Sequence, residues 1–337
     1  MSKRILQLIW LVVLAGTVGC TPESAGPATY NLNLPNYAPT PQWGENNPMT
    51  VQSVELGKML FFDKALSRDS TINCASCHFP EKAFTDGRKL STGIRGQIVP
   101  RNAPALFNSL FGVSFFWDGG VPNLEMQALA PIQAHNEMDL TFPELIQRLS
   151  NDPVYVSKFQ QAYGTGPTNA AVVRALANFQ RSLVSFGSPY DRYFQGDTNA
   201  LTASEKRGKD IFFGENAECF HCHTGSNFTD ESYMNNGLYA VYADSGRARI
   251  TNRSRDVGRF KVPTLRNIEM TAPYMHDGSL ATLDDVLDHY TSGGKRHPNQ
   301  SSLVRPFVLT PQEREDLKAF LRSLTDHAFL NDPRHRP

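Results

Sequence analysis

Two copies of the motif Cys-x-x-Cys-His constrain this 337-residue chain more than any other feature. This spacing is the attachment signal of a c-type haem, because both thiols bond the porphyrin and the following imidazole ligates the iron. It predicts two covalently bound haems. The predicted attachment residues are Cys74, Cys77, Cys219 and Cys222, and the predicted axial ligands are His78 and His223.

A zinc site or a disulfide fits the motif cysteines less well than a haem does. A structural zinc site needs four ligands, and no second cysteine pair lies near either motif. A disulfide inside each motif would leave the trailing histidine unexplained twice. The haem interpretation therefore accounts for more of the pattern.

The fifth cysteine, Cys20, follows a basic pair and an apolar run over residues 5–18. This order predicts a lipoprotein-type signal peptide over residues 1–20, with Cys20 as the lipidated residue. An ordinary signal peptide with an incidental cysteine is the alternative. Either way we expect export to the periplasm, and Thr21 favours the outer membrane of a Gram-negative bacterium, with a lipid anchor as the only membrane contact.

Charge and composition narrow the class of partner. Lys and Arg together number 33, as do Asp and Glu, so the net charge is zero and nothing favours a nucleic-acid partner.

Residues 21–46 are rich in Pro, Asn, Gly and Thr, which predicts a flexible tether. The arginines of residues 247–255 are interpreted as a solvated loop.

The chain is internally duplicated, since similar segments flank both haem motifs. Gly57-Lys58 and Gly208-Lys209 open the segments before the motifs, and a Phe-Thr-Asp triplet, at residues 84–86 and 228–230, follows each. This pattern predicts two cytochrome c-like domains. Their predicted bounds are 47–200 and 201–337.

Helical signals dominate the rest of the chain. Apolar spacing predicts amphipathic helices over 51–62, 142–149 and 170–183. Capping boxes that begin at Thr202 and Thr310 open two more helices. With no long alternating strands, the predicted class is mainly α, with one covalently attached haem in each domain.

Five further segments resemble the bacterial di-haem cytochrome c peroxidase family. They follow the family's order over roughly residues 50–325, which is more specific than the haem motifs alone. The segments are Pro100-Arg101-Asn102-Ala103-Pro104, Phe115-Phe116-Trp117-Asp118-Gly119-Gly120, residues 131–138, residues 262–267 and residues 272–278.

The resemblance implies a role for several of these residues. His78 would ligate the peroxide-reacting haem, and Glu137 would move protons on the opposite side of that haem, with Gln127 in the same pocket. Trp117 would carry electrons between the haems. A calcium ion would bind between the domains to Asn102 and the backbone oxygens of Thr271 and Pro273, since hard oxygen ligands suit that ion.

One departure from the family concerns the first haem. Many family peroxidases carry a histidine after the first motif that blocks the iron until the second haem is reduced. Residues 92–97 contain no histidine. The first haem is therefore expected to be open without reductive activation, with His135 as the nearest alternative ligand.

A second departure concerns the other haem. Tyr290 stands fourteen residues after His276, where family peroxidases place a methionine ligand. This is similar to MauG-type enzymes, in which a tyrosine ligates the second haem. A phenolate stabilises ferric iron, so we expect a low potential. Met275 is the runner-up ligand, with Met270 and Met234 behind it.

The resemblance implies a peroxidase-type oxidoreductase that reduces hydrogen peroxide to water. Electrons would come from a small donor protein, a cytochrome c or a cupredoxin, through the second haem. The alternative is MauG-like oxidation of Trp or Tyr in a partner protein. A non-catalytic di-haem electron carrier is the third possibility, which the absent blocking histidine disfavours.

Overall fold

A computed structural model describes residues 26–42 and 46–337 of the chain. The predicted signal peptide and Cys20 lie outside the described residues. The described residues contain eleven α-helices: α1 Val51–Phe62, α2 Leu124–Gln133, α3 Phe142–Ser150, α4 Pro153–Tyr163, α5 Asn169–Ser182, α6 Pro189–Phe194, α7 Ala203–Phe212, α8 Ala248–Thr251, α9 Leu283–Thr291, α10 Pro311–Arg322 and α11 His327–Leu330.

Strands contribute little to the described fold. The strands β1 (Tyr233–Met234) and β2 (Phe260–Lys261) pair antiparallel in a two-stranded sheet. The predicted class, mainly α, is confirmed. Among residues 26–42 and 46–337, no helix combines the length and apolar character that crossing a bilayer requires.

Capping boxes begin the helices where the sequence predicts them. Thr202 caps α7, and its backbone N–H donates to the Glu205 carboxylate at 2.6 Å. Thr310 caps α10 in the same way, with Glu313 as its partner. Each box satisfies backbone N–H groups that have no partner inside the helix, which is why the signal can be recognised in the sequence.

Each haem motif lies beside a crossed pair of helices with its own apolar core. In the first half α1 crosses α5, and in the second half α7 crosses α10. The repeated glycines explain the close crossings. A Cβ at Gly57 would collide with the Ala175 carbonyl, and one at Gly208 would collide with the Asp316 carbonyl. The duplication seen in the sequence is therefore a duplicated helix crossing.

The two cores exchange elements across the division predicted at residue 200. Helix α6 precedes that division, but the Tyr190 ring packs on Phe228 at 5.2 Å in the second core. Helix α11 follows it, but the Phe329 ring packs on Phe107 at 5.7 Å in the first core. Because large aromatic rings bury much apolar area, these contacts join the halves.

Residues 26–42, which are part of the tether predicted for 21–46, contact the rest of the fold. The backbone N–H of Tyr30 donates to the Met49 carbonyl at 2.9 Å. The Tyr37 ring packs edge-on against Phe186 and Phe194. The aromatic side chain of Tyr37 thus anchors part of the segment. The flexibility of the tether stays a prediction.

Candidate haem sites

The first motif opens onto a cavity with about 590 Å³ of empty space, part of it open to solvent. Cys74, Cys77 and His78 line this cavity. Its lining also includes Gln127 and Glu137, which are contributed by α2 and the loop that follows it. The structure thus joins two segments that are far apart in the sequence. The apolar walls come from Phe61, Ile72, Val99, Leu106, Ala128, Pro131, Met138 and Leu176.

Both motif histidines are oriented by the repeated Phe-Thr-Asp triplet. The His78 Nδ1 lies 2.7 Å from the Phe84 carbonyl oxygen, and the His223 Nδ1 lies 3.1 Å from the Phe228 carbonyl oxygen. A carbonyl can only accept, so Nδ1 carries the proton and Nε2 is left for a metal. Burial lowers the pKa of both imidazoles and favours the neutral form that a metal needs.

Glu137 and Gln127 are two of the polar residues that line the cavity, together with Asn73 and Gln180. Burial raises the pKa of Glu137, so its carboxyl holds a proton at a higher pH than an exposed glutamate does. The Gln127 Oε1 atom is buried and makes no hydrogen bond to the described residues. Such an atom normally has a partner. A carboxyl group and an unpaired amide beside an imidazole suit a small polar reactant.

The segment without the blocking histidine holds the Glu137 loop in place. The Ile94 backbone N–H donates to the Glu137 carbonyl at 2.8 Å, and a Cβ at Gly93 would collide with Asn136 and Glu137. The other candidate ligand, His135, does not line the cavity. Its side chain is 91% exposed and pairs with Asp139. Of the described residues that line the cavity, His78 is the one imidazole.

Tyr290 and Met275 both lie at the second motif. The Asn236 Nδ2 donates to the Met275 Sδ at 3.2 Å and lies 3.5 Å from the Tyr290 Oη. Met275 and Cys219 pack on the same core. Burial raises the pKa of Tyr290 to about 12, although Asn236 opposes this, so its phenol stays protonated unless a cation stabilises the phenolate.

The other two candidate methionines, Met270 and Met234, lie in different parts of the fold. Met270 packs against the first core, and Met234 lies in β1. The choice between Tyr290 and Met275 as the ligand stays a prediction, since both side chains reach the same amide.

Trp117 is held from both halves of the chain. Its indole Nε1 donates to the Asn102 carbonyl at 2.9 Å, and its own carbonyl accepts from the Lys261 backbone N–H at 2.8 Å. The ring packs against the small cluster that contains Tyr242 and Phe260. Hydrogen bonds thus join Trp117 to one residue of each half of the chain. Its role as an electron carrier between the haems stays a prediction.

A buried aspartate next to Trp117 anchors the arginine-rich segment. Asp118 is fully buried and accepts from Arg101 at 2.6 Å and from Arg249 at 2.5 Å. The Arg247 guanidinium donates to the carbonyls of Asp118 and Gly119. Two of the arginines interpreted as a solvated loop therefore bind the Trp117 turn, as buried charges must be paired. The sequence did not reveal this, because the partners are about 130 residues apart.

Of the predicted calcium ligands, Asn102 contacts the loop that follows the other two. The Asn102 backbone N–H donates to the His276 carbonyl at 2.8 Å, and His276 comes three residues after Pro273. The Asn102 side-chain amide donates to the Arg88 carbonyl, which leaves its oxygen for a cation. The calcium site stays a prediction.

The residues around each motif fit a c-type haem. The four motif cysteines are free thiols rather than disulfides, and both histidines present Nε2. The first cavity joins apolar walls to a polar face that contains the unpaired Gln127 Oε1. A flat apolar ring with a reactive metal requires this combination.

Two family models match successive parts of the chain, and each part contains one haem motif. A model described as di-haem cytochrome c peroxidase matches residues 51–199, and a cytochrome c model matches residues 205–325. The two matched regions correspond to the two cores. The cores themselves exchange α6 and α11 across the boundary near residue 200.

Individual relatives span the whole chain. Methylamine utilization protein MauG of Methylorubrum extorquens is 38% identical and covers 94% of each chain. Cytochrome-c peroxidase IdrP1 of a Pseudomonas species is 34% identical and covers 96% of this chain and 93% of its own. A crystal structure of a MauG-like protein associated with microbial copper homeostasis superposes with a TM-score of 0.88 at 37% identity, over 91% of this chain and 99% of its own.

Proposed function

This chain belongs to the di-haem cytochrome c peroxidase and MauG family, and we propose that it reduces hydrogen peroxide to water beside His78. Family membership makes it a peroxidase-type oxidoreductase with two c-type haems. One observation carries the finer proposal. Glu137 and the unpaired Gln127 amide face the cavity of the first motif, and no second imidazole lines it among the described residues.

The side chains of this cavity transfer protons and orient the peroxide. A haem held by Cys74, Cys77 and His78 would supply an iron that binds peroxide and delivers two electrons to it. Glu137 takes a proton from one peroxide oxygen and returns it to the other, so that the departing oxygen leaves as water. The overall change consumes one peroxide, two electrons and two protons and yields two waters.

The pKa of Glu137 suits this exchange. Burial raises that pKa toward neutrality, and a group that gives and takes a proton works best when its pKa lies near the working pH. The Gln127 amide orients the peroxide by hydrogen bonding, and the apolar walls limit entry of bulk water.

Electrons reach the first site through the second motif and Trp117. A small cytochrome c or cupredoxin would be the donor, and His223 and Tyr290 would hold the iron of the second haem. The support is that Trp117 is fixed from both halves of the chain. We also propose a periplasmic location with a lipid anchor at Cys20, and calcium at Asn102.

A second candidate function is MauG-like oxidation of Trp or Tyr in a partner protein. It is favoured by the position of Tyr290, whose phenol reaches the same amide as Met275 at the second motif. A phenolate ligand there would lower the reduction potential of the second haem and let both haems share oxidising equivalents. A non-catalytic carrier is disfavoured, because it would need a sixth protein ligand at the first site.

Two measurements test these functions. The ferric EPR spectrum should contain one high-spin haem that reacts with one equivalent of peroxide. Two low-spin haems that are inert to peroxide would leave only the carrier. Steady-state peroxide consumption with reduced cytochrome c then separates the enzymes, because slow turnover with a long-lived oxidised state would favour partner oxidation.

A further inference from the structure

One tyrosine, Tyr239, continues outward from the cluster that contacts Trp117. The cluster consists of Leu238, Tyr242 and Phe260, with the Trp117 ring packed against it. Tyr242 is 9% exposed, and its ring lies 5.6 Å edge-on from the ring of Tyr239. Tyr239 is 37% exposed. Adjacent rings therefore lead from the junction of the two cores to the surface.

The buried end of this route also lies near the second motif. Met275 packs against both the second core and the cluster that holds Tyr242. The Tyr242 ring lies 6.2 Å from Phe260 and 6.4 Å from His276. Tyr242 is therefore close to the residues that would hold the second haem as well as to Trp117.

The two phenols differ in what can accept their protons. The Tyr239 Oη donates to the Asp277 Oδ2 at 2.6 Å. The Tyr242 Oη donates to the Asn235 Oδ1 at 3.1 Å, and an amide oxygen is a poor base. Oxidation of a phenol is easy only when its proton leaves with the electron, which needs a base in hydrogen-bond reach. Tyr239 has such a base, whereas Tyr242 does not.

The carboxylate partner of Tyr239 is fixed in place by a second hydrogen bond. The Ser279 backbone N–H donates to the Asp277 Oδ1 at 3.1 Å, while the Asp277 Oδ2 accepts from Tyr239. The carboxylate is therefore oriented to accept the phenolic proton. Val241, two residues along the chain from Tyr239, is 84% exposed and adds apolar surface to this segment.

We propose that Tyr239 is a second redox site, at which small aromatic reductants of the phenol class deliver electrons for peroxide reduction. This inference rests on the proposed function, because hydrogen peroxide is the oxidant. Tyr239 loses one electron inward through Tyr242, and its proton passes to Asp277. A phenolic donor then gives Tyr239 one electron and releases its own phenolic proton to solvent, Asp277 returns the proton it took, and Tyr239 is restored. Two such cycles supply the two electrons that one peroxide consumes.

The route explains why the outer tyrosine, and not the inner one, is the stopping point. An oxidised Tyr242 cannot be stabilised by deprotonation, so it takes an electron from Tyr239. When Tyr239 is oxidised, its proton moves to Asp277, and the oxidised ring stays at the surface, where an aromatic donor can make contact.

The test combines radical trapping with a donor assay on the holoenzyme. One equivalent of peroxide is added without reductant in the presence of a nitroso spin trap, and the adduct is located by peptide mass spectrometry. We expect the adduct on Tyr239 and its loss in Tyr239→Phe and Tyr242→Phe. Tyr193→Phe is the matched control, because the Tyr193 ring faces Lys206 instead of the route. It should keep the adduct.

Hydroquinone is the donor probe. It should suppress the adduct in the wild type, and its peroxide-dependent oxidation should be lost in Tyr239→Phe and slowed in Asp277→Asn. An adduct on another residue, or hydroquinone oxidation that survives Tyr239→Phe, would overturn the inference. Peroxide consumption with reduced cytochrome c in the same samples identifies which idea fails. If the wild type consumes no peroxide, both fall, whereas consumption without a Tyr239 adduct removes only the second redox site.

Discussion

Replacing Glu137 with glutamine is the most direct test of the proposed chemistry. The amide fills the same space but cannot take a proton from peroxide. Burial is the cause of the raised pKa of Glu137, so the substitution removes a proton carrier without removing a charge partner from the cavity. Positioned acid–base groups contribute about 10²–10⁴-fold to a rate. We therefore expect peroxide turnover to fall by that factor, which corresponds to about 2.7–5.5 kcal/mol.

Glu137→Gln should leave stability almost unchanged, because it buries no new charge. Thermal unfolding checks this, and steady-state oxidation of reduced cytochrome c by peroxide measures the rate. Glu144→Gln is the matched control, since that glutamate caps α3 on the surface and is remote from the cavity lining. It should keep wild-type turnover.

The pH dependence gives a second readout. Glu137 must be ionised to accept a proton, and burial raises its pKa above the usual glutamate value of about 4.3. Wild-type kcat/KM should therefore fall as the pH drops through this raised pKa, and the glutamine variant should lose that limb. A glutamine variant with turnover within about tenfold of wild type, below the range given above, would refute the assignment.

Three further substitutions test other parts of the structure. Gly93→Ala should push the Glu137 loop away and lower both turnover and the free energy of unfolding, the latter by about 1–3 kcal/mol, as overpacking does. Asp191→Asn should lower the free energy of unfolding by about 3–5 kcal/mol in urea titrations, because it leaves the buried Arg266 guanidinium without its charge partner. Tyr290→Met should raise the reduction potential of the second haem in a spectroelectrochemical titration, because a thioether favours ferrous iron.

The aspartate prediction has a defined pH dependence. Burial would raise the pKa of Asp191, but Arg266 and Ser188 outweigh it and hold the pKa low. Its stabilising contribution is therefore complete above the ordinary aspartate pKa of about 3.9 and is lost as the pH falls through the lower folded value. Wild type and Asp191→Asn should converge in stability at strongly acidic pH.

Each of these substitutions has a control. Gly166→Ala adds a methyl group where no atom lies within 4 Å, so it should cost almost nothing. Asp210→Asn removes an exposed carboxylate that pairs with Lys209 and should change stability little. An unchanged potential in Tyr290→Met would remove Tyr290 as the second axial ligand and favour Met275.

Local patterns in the sequence determined the elements that neighbouring residues build. The capping boxes at Thr202 and Thr310 begin helices, because their hydrogen bonds span three residues. The Cys-x-x-Cys-His spacing brings the two thiols and the imidazole together because all three lie within five consecutive residues. Apolar spacing over 51–62 predicted α1 with its observed bounds. These features need no information about the rest of the chain.

Contacts between distant residues needed the tertiary structure. Spacing does not show that Gly93 packs on the Glu137 loop, that Asp118 collects Arg249, or that Tyr239 reaches Asp277. The exchange of α6 and α11 between the cores was hidden for the same reason.

The physical cause is that distant pairs meet only when loops close and cores pack. Closing a loop costs conformational entropy that depends weakly on its length, so many pairings are nearly equal in cost. Side-chain shape and buried charge then select among them, and both act through the folded core. The sequence thus determined two haem-binding motifs in a helical chain, and the folded core decided which side chains surround them.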